Sequence, residues 1–311
     1  GVKMPRTSWD VMRSFEIAIP DPETQLLTAD FLDRETARID ELATKKRQMI
    51  ELLEAELAAR IRHTVLGGKW ADTLEGTEGA TEARVDPRPG RVGRLTNHIA
   101  SATNGVWGND PSGGSDDIVC VRVADFDRFR HEVVQQVPTI RSVTAAERTG
   151  KLLSSGDILV EKSGGGTTSP VGVAVLFRGD YPAVSSNFVS RLRVAPTSDS
   201  RYVNYLLWAL YESGLNLPHV KQTTGIQNLD WGSFKATRVP FPGLEEQRLI
   251  SAELDHFVDR KVALQRLIKE QLDLLAEYRQ ALVTAAVTGQ LDEATLRGEK
   301  PVGEATDVGV G

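Results

Sequence analysis

Two long stretches of the chain place apolar residues at alternating steps of three and four, the spacing of a helix that buries one stripe. In the stretch from residue 242 to 290 the predicted seam consists of Ile250, Leu254, Phe257, Leu264, Ile268, Leu275, Tyr278 and Leu282. In the stretch from residue 20 to 68 a weaker seam consists of Leu32, Ile39, Leu42, Met49, Leu53, Leu57 and Ile61. Polar residues interrupt both seams, Lys46 in the first and Lys261 and Gln271 in the second.

Each helix would hold some 40 residues and span about 60 Å, at about 1.5 Å per residue. Because that exceeds the width of a small domain, we expect the helices to pack against each other as an antiparallel coiled coil.

The two stretches are also copies of one another. An offset of 222 residues aligns Gln25 with Gln247, Asp33 with Asp255, Leu42 with Leu264 and Gly67 with Gly289. With small gaps the match continues upstream, since "GVKMPRTSWDVMRSFEIAIPDPETQ" resembles "GIQNLDWGSFKATRVPFPGLEEQ". The repeat predicts that residues 1–24 are the end of a preceding globular segment. We therefore expect the chain to be a fragment or a natural half of a longer two-copy arrangement.

The repeat and the composition divide the chain further. Helices are predicted over 25–68 and 244–290, a Gly/Thr/Glu/Pro-rich linker over 69–93, a globular segment over 94–243 and a flexible tail over 291–311. The globular segment alternates β-branched runs with Gly, Pro and Asp, and "SRYVNYLLWALYES" is its clear helix. The predicted fold class is α+β: one mixed α/β domain with many short strands, flanked by the two long helices.

Four aromatic residues of that clear helix admit two interpretations. Tyr202, Tyr205, Trp208 and Tyr211 suit packing of the helix against the domain, and aromatic residues in a row also suit stacking on nucleic-acid bases. Since Val203, Leu206, Leu207 and Leu210 already mark an apolar face, packing is the favoured interpretation.

Composition is that of an ordinary globular protein, with 40% hydrophobic and 26% charged residues in 311. No apolar run approaches the roughly 20 residues of a membrane span, and the single Cys120 excludes an intramolecular disulfide. We expect a cytoplasmic protein without a membrane partner, with Cys120 in the core.

The net charge of −6 argues against a nucleic-acid partner. Residues 141–240, however, include eleven basic and seven acidic residues. The excess is modest, and a mixed solvated surface accounts for it nearly as well.

The candidate chemistry lies in two polar stretches. The first, "GDILVEKSGGGTTSP", leads a strand into a glycine-rich, hydroxyl-rich loop, with Lys162, Ser163, Gly164, Gly165, Gly166, Thr167 and Thr168 as candidate DNA contacts. The alternative is a wide hairpin turn. A phosphate-binding nucleotide loop is excluded, because no Lys-Ser/Thr pair opens a helix there.

The second stretch, "HVKQTTGIQNLDW", contains amides and a lysine that suit base-edge and phosphate contacts. Its candidates are Lys221, Gln222, Thr223, Thr224, Gln227 and Asn228, and Arg141 from the basic segment joins them. A capped loop leading into the final strand is an equally good interpretation.

Catalytic constellations are missing from the sequence. The five histidines lack the spacing of metal ligands. "NDPS" departs from the motif that holds a target amine in amino-methyltransferases, and no acid-x-lysine nuclease spacing follows Asp157. The sequence therefore predicts neither a catalytic residue nor a metal ligand.

The stretches "GDILVEKSGGG", "TTGIQNLDW", "VPFPGLEEQRLISAELD" and "LLAEYRQALVTAAVTGQLD", together with the repeat, resemble the specificity subunits of type I restriction-modification systems. The resemblance covers roughly residues 95–292, with residues 25–67 as the second helix. It implies two target recognition domains that each read half of an interrupted double-stranded DNA site. This sequence departs from that pattern, because it holds one complete domain and only the end of another.

The resemblance also implies a division of labour. Modification subunits bind the helices and methylate adenine with S-adenosylmethionine, and a restriction subunit adds cleavage that needs ATP and Mg²⁺. The chain itself would bind no cofactor and catalyse nothing. Two copies joined through their long helices would form a homodimer that reads a palindromic interrupted site. The alternative is a non-enzymatic coiled-coil scaffold whose β-rich domain binds a partner other than DNA.

Overall fold

Seven α-helices are found in the part of the chain that the computed structural model describes, residues 8–15, 19–67, 92–166, 168–223 and 225–302. They are α1 (Trp9–Met12), α2 (Pro22–Leu66), α3 (Ala145–Arg148), α4 (Ser200–Glu212), α5 (Trp231–Phe234), α6 (Leu244–Val287) and α7 (Glu293–Arg297). The two long helices, α2 and α6, confirm the prediction from apolar spacing. Neither they nor any other described helix is long and apolar enough to cross a bilayer.

Both long helices begin and end in ways that repeat between them. Gln25 Nε2 donates to Pro20 O at 2.6 Å, and the equivalent Gln247 Nε2 donates to Pro242 O at 2.9 Å. At the other end Gly67 and Gly289 adopt positive φ angles of 93° and 71°. Glycine tolerates this left-handed conformation, which commonly terminates a helix. The sequence repeat is therefore a structural repeat.

The chain divides into two compact units, one of residues 1–51 with 266–311 and the other of residues 52–265. In the first unit α2 and α6 run antiparallel around a core of Phe31, Ile39, Leu282, Ala286 and Leu296. Two of the predicted polar interruptions meet there, since Lys46 Nζ lies 2.6 Å from Gln271 Oε1. Arg279 also pairs with Asp40 at 3.4 Å. These contacts confirm the antiparallel pairing.

The predicted seam is wrong in phase at four positions, because Leu42, Met49, Leu264 and Tyr278 are exposed. Phe31 and Ala43 are buried instead, next to Leu32 and Leu42 of the predicted stripe. A straight helix has 3.6 residues per turn and drifts by about 20° per heptad from a strict 3.5 repeat. Single positions of the stripe therefore leave the buried face, whereas Leu53, Leu57 and Ile61 further along α2 remain buried.

The stretch expected to be a flexible tail instead begins with helix α7. Asp292 caps it by accepting a hydrogen bond from Thr295 N at 2.8 Å, and Gly298 closes it at φ 79°. Leu296 is buried in the core of the first unit. The caps and one buried leucine hold this short helix in place.

The second unit is the mixed α/β domain together with the parts of α2 and α6 that belong to it. Its strands are β1 (Val92–Arg94), β2 (Ile99–Asn104), β3 (Asp117–Val121), β4 (Phe126–Asp127), β5 (Glu132–Val133), β6 (Ile140–Ser142), β7 (Ile158–Glu161), β8 (Ser163–Gly164), β9 (Ala174–Leu176), β10 (Ala183–Ser185), β11 (Val189–Val194), β12 (Val220–Thr223), β13 (Ile226–Leu229) and β14 (Arg238–Pro240). The predicted α+β fold with many short strands is confirmed.

These strands form four small sheets. The largest has the order β2-β11-β7-β9-β5-β4, and the others are β10-β3-β6, β12-β13-β8 and β1-β14. Nearly all neighbours are antiparallel, with β10–β3 and β5–β9 parallel. Cys120 lies buried on β3, where burial raises its thiol pKa to about 11. That confirms its prediction as a core residue.

Helix α4 fills the space between the six-stranded sheet and the long helices within this unit. Asp199 caps it by accepting from Tyr202 N at 2.9 Å. Tyr202, Tyr205 and Trp208 are buried in one core with Leu57 and Leu254. The aromatic residues therefore pack the helix, as the favoured interpretation predicted.

A row of polar side chains on α6 holds the start of α4. Gln247 Oε1 accepts from Asp199 N at 2.9 Å, and Ser251 Oγ donates to Asp199 Oδ1 at 2.7 Å. One turn further, Asp255 accepts from the Tyr205 hydroxyl at 2.6 Å and pairs with Arg201. Gln247, Ser251 and Asp255 are spaced by four residues, so one face of α6 carries all of these contacts.

Candidate nucleic-acid interface

The small sheet β12-β13-β8 brings together the two polar stretches that the sequence singled out. Strand β8 comes from the glycine-rich stretch, and β12 and β13 form a hairpin from the amide-rich stretch. Asn228 on the central strand lies opposite Lys221 on one side and Ser163 on the other. Residues 65 apart in sequence therefore lie side by side.

Lys221, Asn228 and Ser163 share one face of this sheet, and we call these three residues the polar row. On β13 exposed and buried residues alternate, with Ile226 and Asn228 outward and Gln227 and Leu229 inward. Directly opposed residues of neighbouring antiparallel strands point to the same side. The Ser163 hydroxyl donates to Asn228 Oδ1 at 2.7 Å, which fixes the orientation of that amide.

Lys221 supplies the positive charge of the row. Its side chain is 73% exposed, and its Nζ lies 2.6 Å from Asp230 Oδ2. The hydrogen bond from Lys221, followed by one from the backbone of Ser233, lowers the pKa of Asp230. Asp230 also caps α5, so Lys221 is held beside a helix start rather than left free in solvent.

Gln227, another of the candidate contacts, has an inward position on β13. It is only 8% exposed, and its Oε1 accepts from Val171 N at 3.3 Å. A Cβ at Gly165 would lie 2.9 Å from that oxygen and 2.8 Å from Val171 N. With φ at 59°, residue 165 is suited to glycine both by its conformation and by this close approach.

Arg141 is likewise engaged within the protein. Its guanidinium lies 4.5 Å from the centroid of the Trp107 ring, and it donates to Trp107 O at 3.1 Å and Gly108 O at 3.2 Å. It also pairs with Asp110, and its side chain is largely buried. Arg141 therefore holds the loop around Trp107 through contacts within the protein.

The remaining candidates surround the polar row. Gln222 on β12 and Thr168 beyond the glycine loop are exposed, and Gly164 and Gly166 complete that loop. Lys162 is half-buried, and burial lowers its pKa. Thr167, Thr224 and the side chain of Thr223 lie outside the described residues.

Sequence reasoning missed a recess that adjoins the row. A cavity of about 460 Å³ lies beside Ser163 and Gly164, and its walls include Trp107, Arg122 and Phe188. Glu161 also lines it, and burial raises the pKa of that carboxyl. An aromatic residue between two glycines, as in "NGVWGN", is the sequence signal that points to an exposed ring in a tight loop.

No group of three or more His, Cys, Asp or Glu side chains in the described ranges is placed to hold a metal ion. The two fully buried histidines have packing positions. Burial lowers the pKa of His98 to about 4 and that of His131 to about 3. His98 Nδ1 lies 2.8 Å from Ser198 Oγ, and His131 packs against Trp208 at 4.3 Å between ring centroids.

The comparisons with known proteins concern the family and the fold. Residues 135–274 match the family model for the type I restriction modification DNA specificity domain. The type I restriction enzyme StySPI specificity subunit of Salmonella potsdam is 24% identical over 158 residues, which cover 50% of this chain and 34% of that protein. This chain therefore spans well under two thirds of that relative's length.

A solved structure, described as the structural basis underlying complex assembly and conformational transition of the type I R-M system, has the same fold. It superposes with a TM-score of 0.65 at 20% identity, covering 94% of this chain and 66% of the solved chain. The likeness in structure supports the fold, and the sequence match over residues 135–274 supports the family. Residues 135–274 therefore match the type I restriction modification DNA specificity domain, and the likeness in fold extends over 94% of the chain.

Proposed function

We propose that the domain formed by residues 94–243 reads one half of an interrupted double-stranded DNA target. The observation that carries the proposal is the polar row, in which Lys221, Asn228 and Ser163 from two separate polar stretches share one exposed face of one small sheet. A core would bury apolar residues at such positions. An exposed row of a cation, an amide and a hydroxyl is the chemistry that DNA edges and phosphates bind.

Each residue of the row has a distinct role in this proposal. Lys221 contacts a phosphate, which would take the place of Asp230 as its partner. The amide of Asn228 suits the paired donor and acceptor of adenine in the major groove. Ser163 holds that amide in orientation through the 2.7 Å hydrogen bond.

The chain's acidity fits a shared interface. With a net charge of −6 it has few phosphate contacts to offer, so partner subunits would supply most of them. We propose that modification subunits bind S-adenosylmethionine and methylate adenine, and that a restriction subunit uses ATP and Mg²⁺ for cleavage. The chain itself would catalyse neither step, and it would bind DNA only weakly when alone.

We also propose that two copies assemble through their long helices into one specificity unit. Gln25, Ala29 and Asp33 form an exposed stripe on α2, and they are the repeat equivalents of Gln247, Ser251 and Asp255 on α6. The α6 set holds the start of α4, so the α2 set suits the α4 of a second copy. A two-fold reader demands a palindromic interrupted site.

Co-expression with the neighbouring modification subunit in a methylation-free host tests these proposals, with N6-methyladenine mapped across the genome by single-molecule sequencing. We expect an interrupted palindromic motif. Asn228→Ala should relax the motif at one position, and Lys221→Ala should lower methylation of all sites alike.

Lys300→Ala is the matched control for Lys221→Ala. Lys300 is also an exposed lysine, and it pairs at 3.6 Å with Asp292, the residue that caps α7. It should leave both the motif and the extent of methylation unchanged. If both subunits are soluble and the host DNA carries no methylated motif, the proposed function is wrong, and the non-DNA scaffold becomes the better hypothesis.

A further inference from the structure

The recess beside the polar row has walls of a kind that the sequence did not predict. Trp107 and Phe188 line it, and they are 38% and 44% exposed. Ser163 and Gly164 belong to both the recess and the small sheet. The recess is therefore continuous with the proposed DNA-reading face.

Both aromatic residues are held by their surroundings. Trp107 is fixed by Arg141, which stacks on its ring and binds its carbonyl oxygen. The loop that carries Trp107 lies directly against the end of β10 and the residue that follows it. A Cβ at Gly105 would lie 2.1 Å from the carbonyl oxygens of Ser185 and Ser186.

Phe188 is fixed through its backbone. Its carbonyl oxygen accepts from Lys162 N at 2.9 Å and from Ser163 N at 3.3 Å. A backbone placed this firmly leaves only side-chain freedom to be lost when a ligand packs on the ring. The recess is preorganised on two sides.

Arg122 supplies the polar group of the recess. Its side chain is partly exposed, yet its Nε is buried without a hydrogen-bond partner among the described residues. Asp125 Oδ2 lies 3.7 Å from that Nε and already accepts from Arg122 N at 2.7 Å. Because the Nε is buried, a ligand would meet the terminal nitrogens of this partly exposed guanidinium.

These features favour one kind of occupant. A guanidinium donates its paired hydrogen bonds best to guanine O6 and N7, which lie on the major-groove edge of a duplex. Aromatic walls beside it would keep water from that contact and so strengthen it. Cavities that take small planar ligands have volumes of about 300–1,000 Å³, a range that includes this one.

We propose that the recess bounded by Trp107, Phe188 and Arg122 reads one guanine of the target, with Arg122 as the specificity-determining residue. This inference rests on the proposed function, because it assigns a base to the same face. It adds a second reading position next to the one proposed for Asn228.

Guanine analogues in the DNA test the proposal directly. The chain is purified in complex with its modification subunit, and binding is measured on duplexes of the mapped motif in which each guanine in turn is replaced by 7-deazaguanine, which lacks the N7 acceptor. For the unchanged complex we expect about tenfold weaker binding at one position, the scale of one lost base contact.

Arg122→Gln should then bind the unmodified duplex about as weakly as the unchanged complex binds the substituted one. Replacing that guanine by 7-deazaguanine should not weaken DNA binding by the Arg122→Gln complex any further. The Asn228→Ala complex should still bind the substituted duplex about tenfold more weakly than the unmodified one. Arg122→Lys keeps the charge but not the fork of donors, and it should behave like Arg122→Gln. Phe188→Leu should weaken binding of all duplexes without changing which guanine matters.

Two results would overturn the proposal. One is a wild-type complex that is indifferent to every 7-deazaguanine, and the other is an Arg122→Gln complex that still loses about tenfold at the same position. The thermal midpoint of each variant, measured alongside, separates a lost contact from a lost fold, and Arg122→Lys carries the test if Arg122→Gln does not fold. Failure of the proposed function looks different, because no methylated motif would then be found with the unchanged chain.

Discussion

Replacing Gln247 by alanine should sharply destabilise the second unit, because this one side chain satisfies three backbone groups. Gln247 is 0% exposed. Its Oε1 accepts from Asp199 N at 2.9 Å, and its Nε2 donates to Thr197 O at 3.2 Å and Pro242 O at 2.9 Å. The amide of Gln247, in the first turn of α6, thereby binds the segment that caps α4 and the residue that precedes α6 by two positions.

The magnitude follows from what the substitution leaves behind. Each buried backbone group that loses its partner costs about 1–3 kcal/mol. The groups freed here are partly buried, so the lower end of that range applies to each. Three such losses give roughly 3 kcal/mol in the free energy of unfolding. The small void left by the side chain adds to this.

The repeat provides the matched control. Gln25 occupies the equivalent position at the start of α2, and it is exposed with a 2.6 Å hydrogen bond to Pro20 O. Gln25→Ala loses one exposed hydrogen bond, so it should cost about 0.5–1 kcal/mol. Urea denaturation measures both variants, with the fluorescence of Trp208 and Trp231 reporting on the second unit and far-ultraviolet circular dichroism reporting on the long helices of both units. Equal losses, or a loss below about 1 kcal/mol for Gln247→Ala, would refute the reasoning.

Two further predictions concern buried groups of the same unit. His98 has a folded pKa of about 4 and an unfolded pKa of 6.5, so the unfolded chain binds more protons between these values, and stability should fall as the pH falls from about 6.5 to about 4. Thermal midpoints measured across this range should show a shallower slope for His98→Gln, and an unchanged slope would contradict the assignment. Gly105→Ala would force a Cβ to within 2.1 Å of two carbonyl oxygens, so it should cost about 2–3 kcal/mol. A Cβ at Gly166 would have no atom within 4 Å, so Gly166→Ala should destabilise the protein far less in the same denaturation experiment. Similar losses for the two variants would show that the loop at Gly105 changes conformation to accept the methyl group.

The long helices and the domain between them were predictable from the sequence because their signals are regular. Apolar spacing and the 222-residue repeat predicted α2 and α6 to within a few residues at each end. β-branched runs bounded by glycine and proline predicted strands such as β7 and β11. Apolar spacing and β-branched runs need only neighbours in sequence, and the repeat is visible within this one chain.

The candidate site was predictable only in part, because strand phase decides which side chain is exposed. The stretch from residue 221 to 228 is polar at almost every position, so no alternation marked Asn228 as outward and Gln227 as inward. Register is weakly specified by sequence when both faces of a strand are polar. The internal contacts of Arg141 were not predictable either, since its partners Trp107 and Asp110 lie some 30 residues away along the chain.

The comparison of the two repeat copies separates what a helix needs from what a docked domain needs. Gln25 and Asp33 keep the side chains of Gln247 and Asp255, yet on α2 they are exposed, whereas on α6 the same pair holds α4. Gln25 bonds to Pro20 O at the start of α2, but helix formation alone gives no reason for aspartate at position 33, since exposed positions accept many polar residues. Contacts with the α4 of a second copy docked on α2 would give such a reason. That is the arrangement proposed for two assembled copies. Gln25→Ala, nearly silent in the isolated chain, should then weaken self-association measured by sedimentation, and unchanged self-association would remove this support for the two-fold unit.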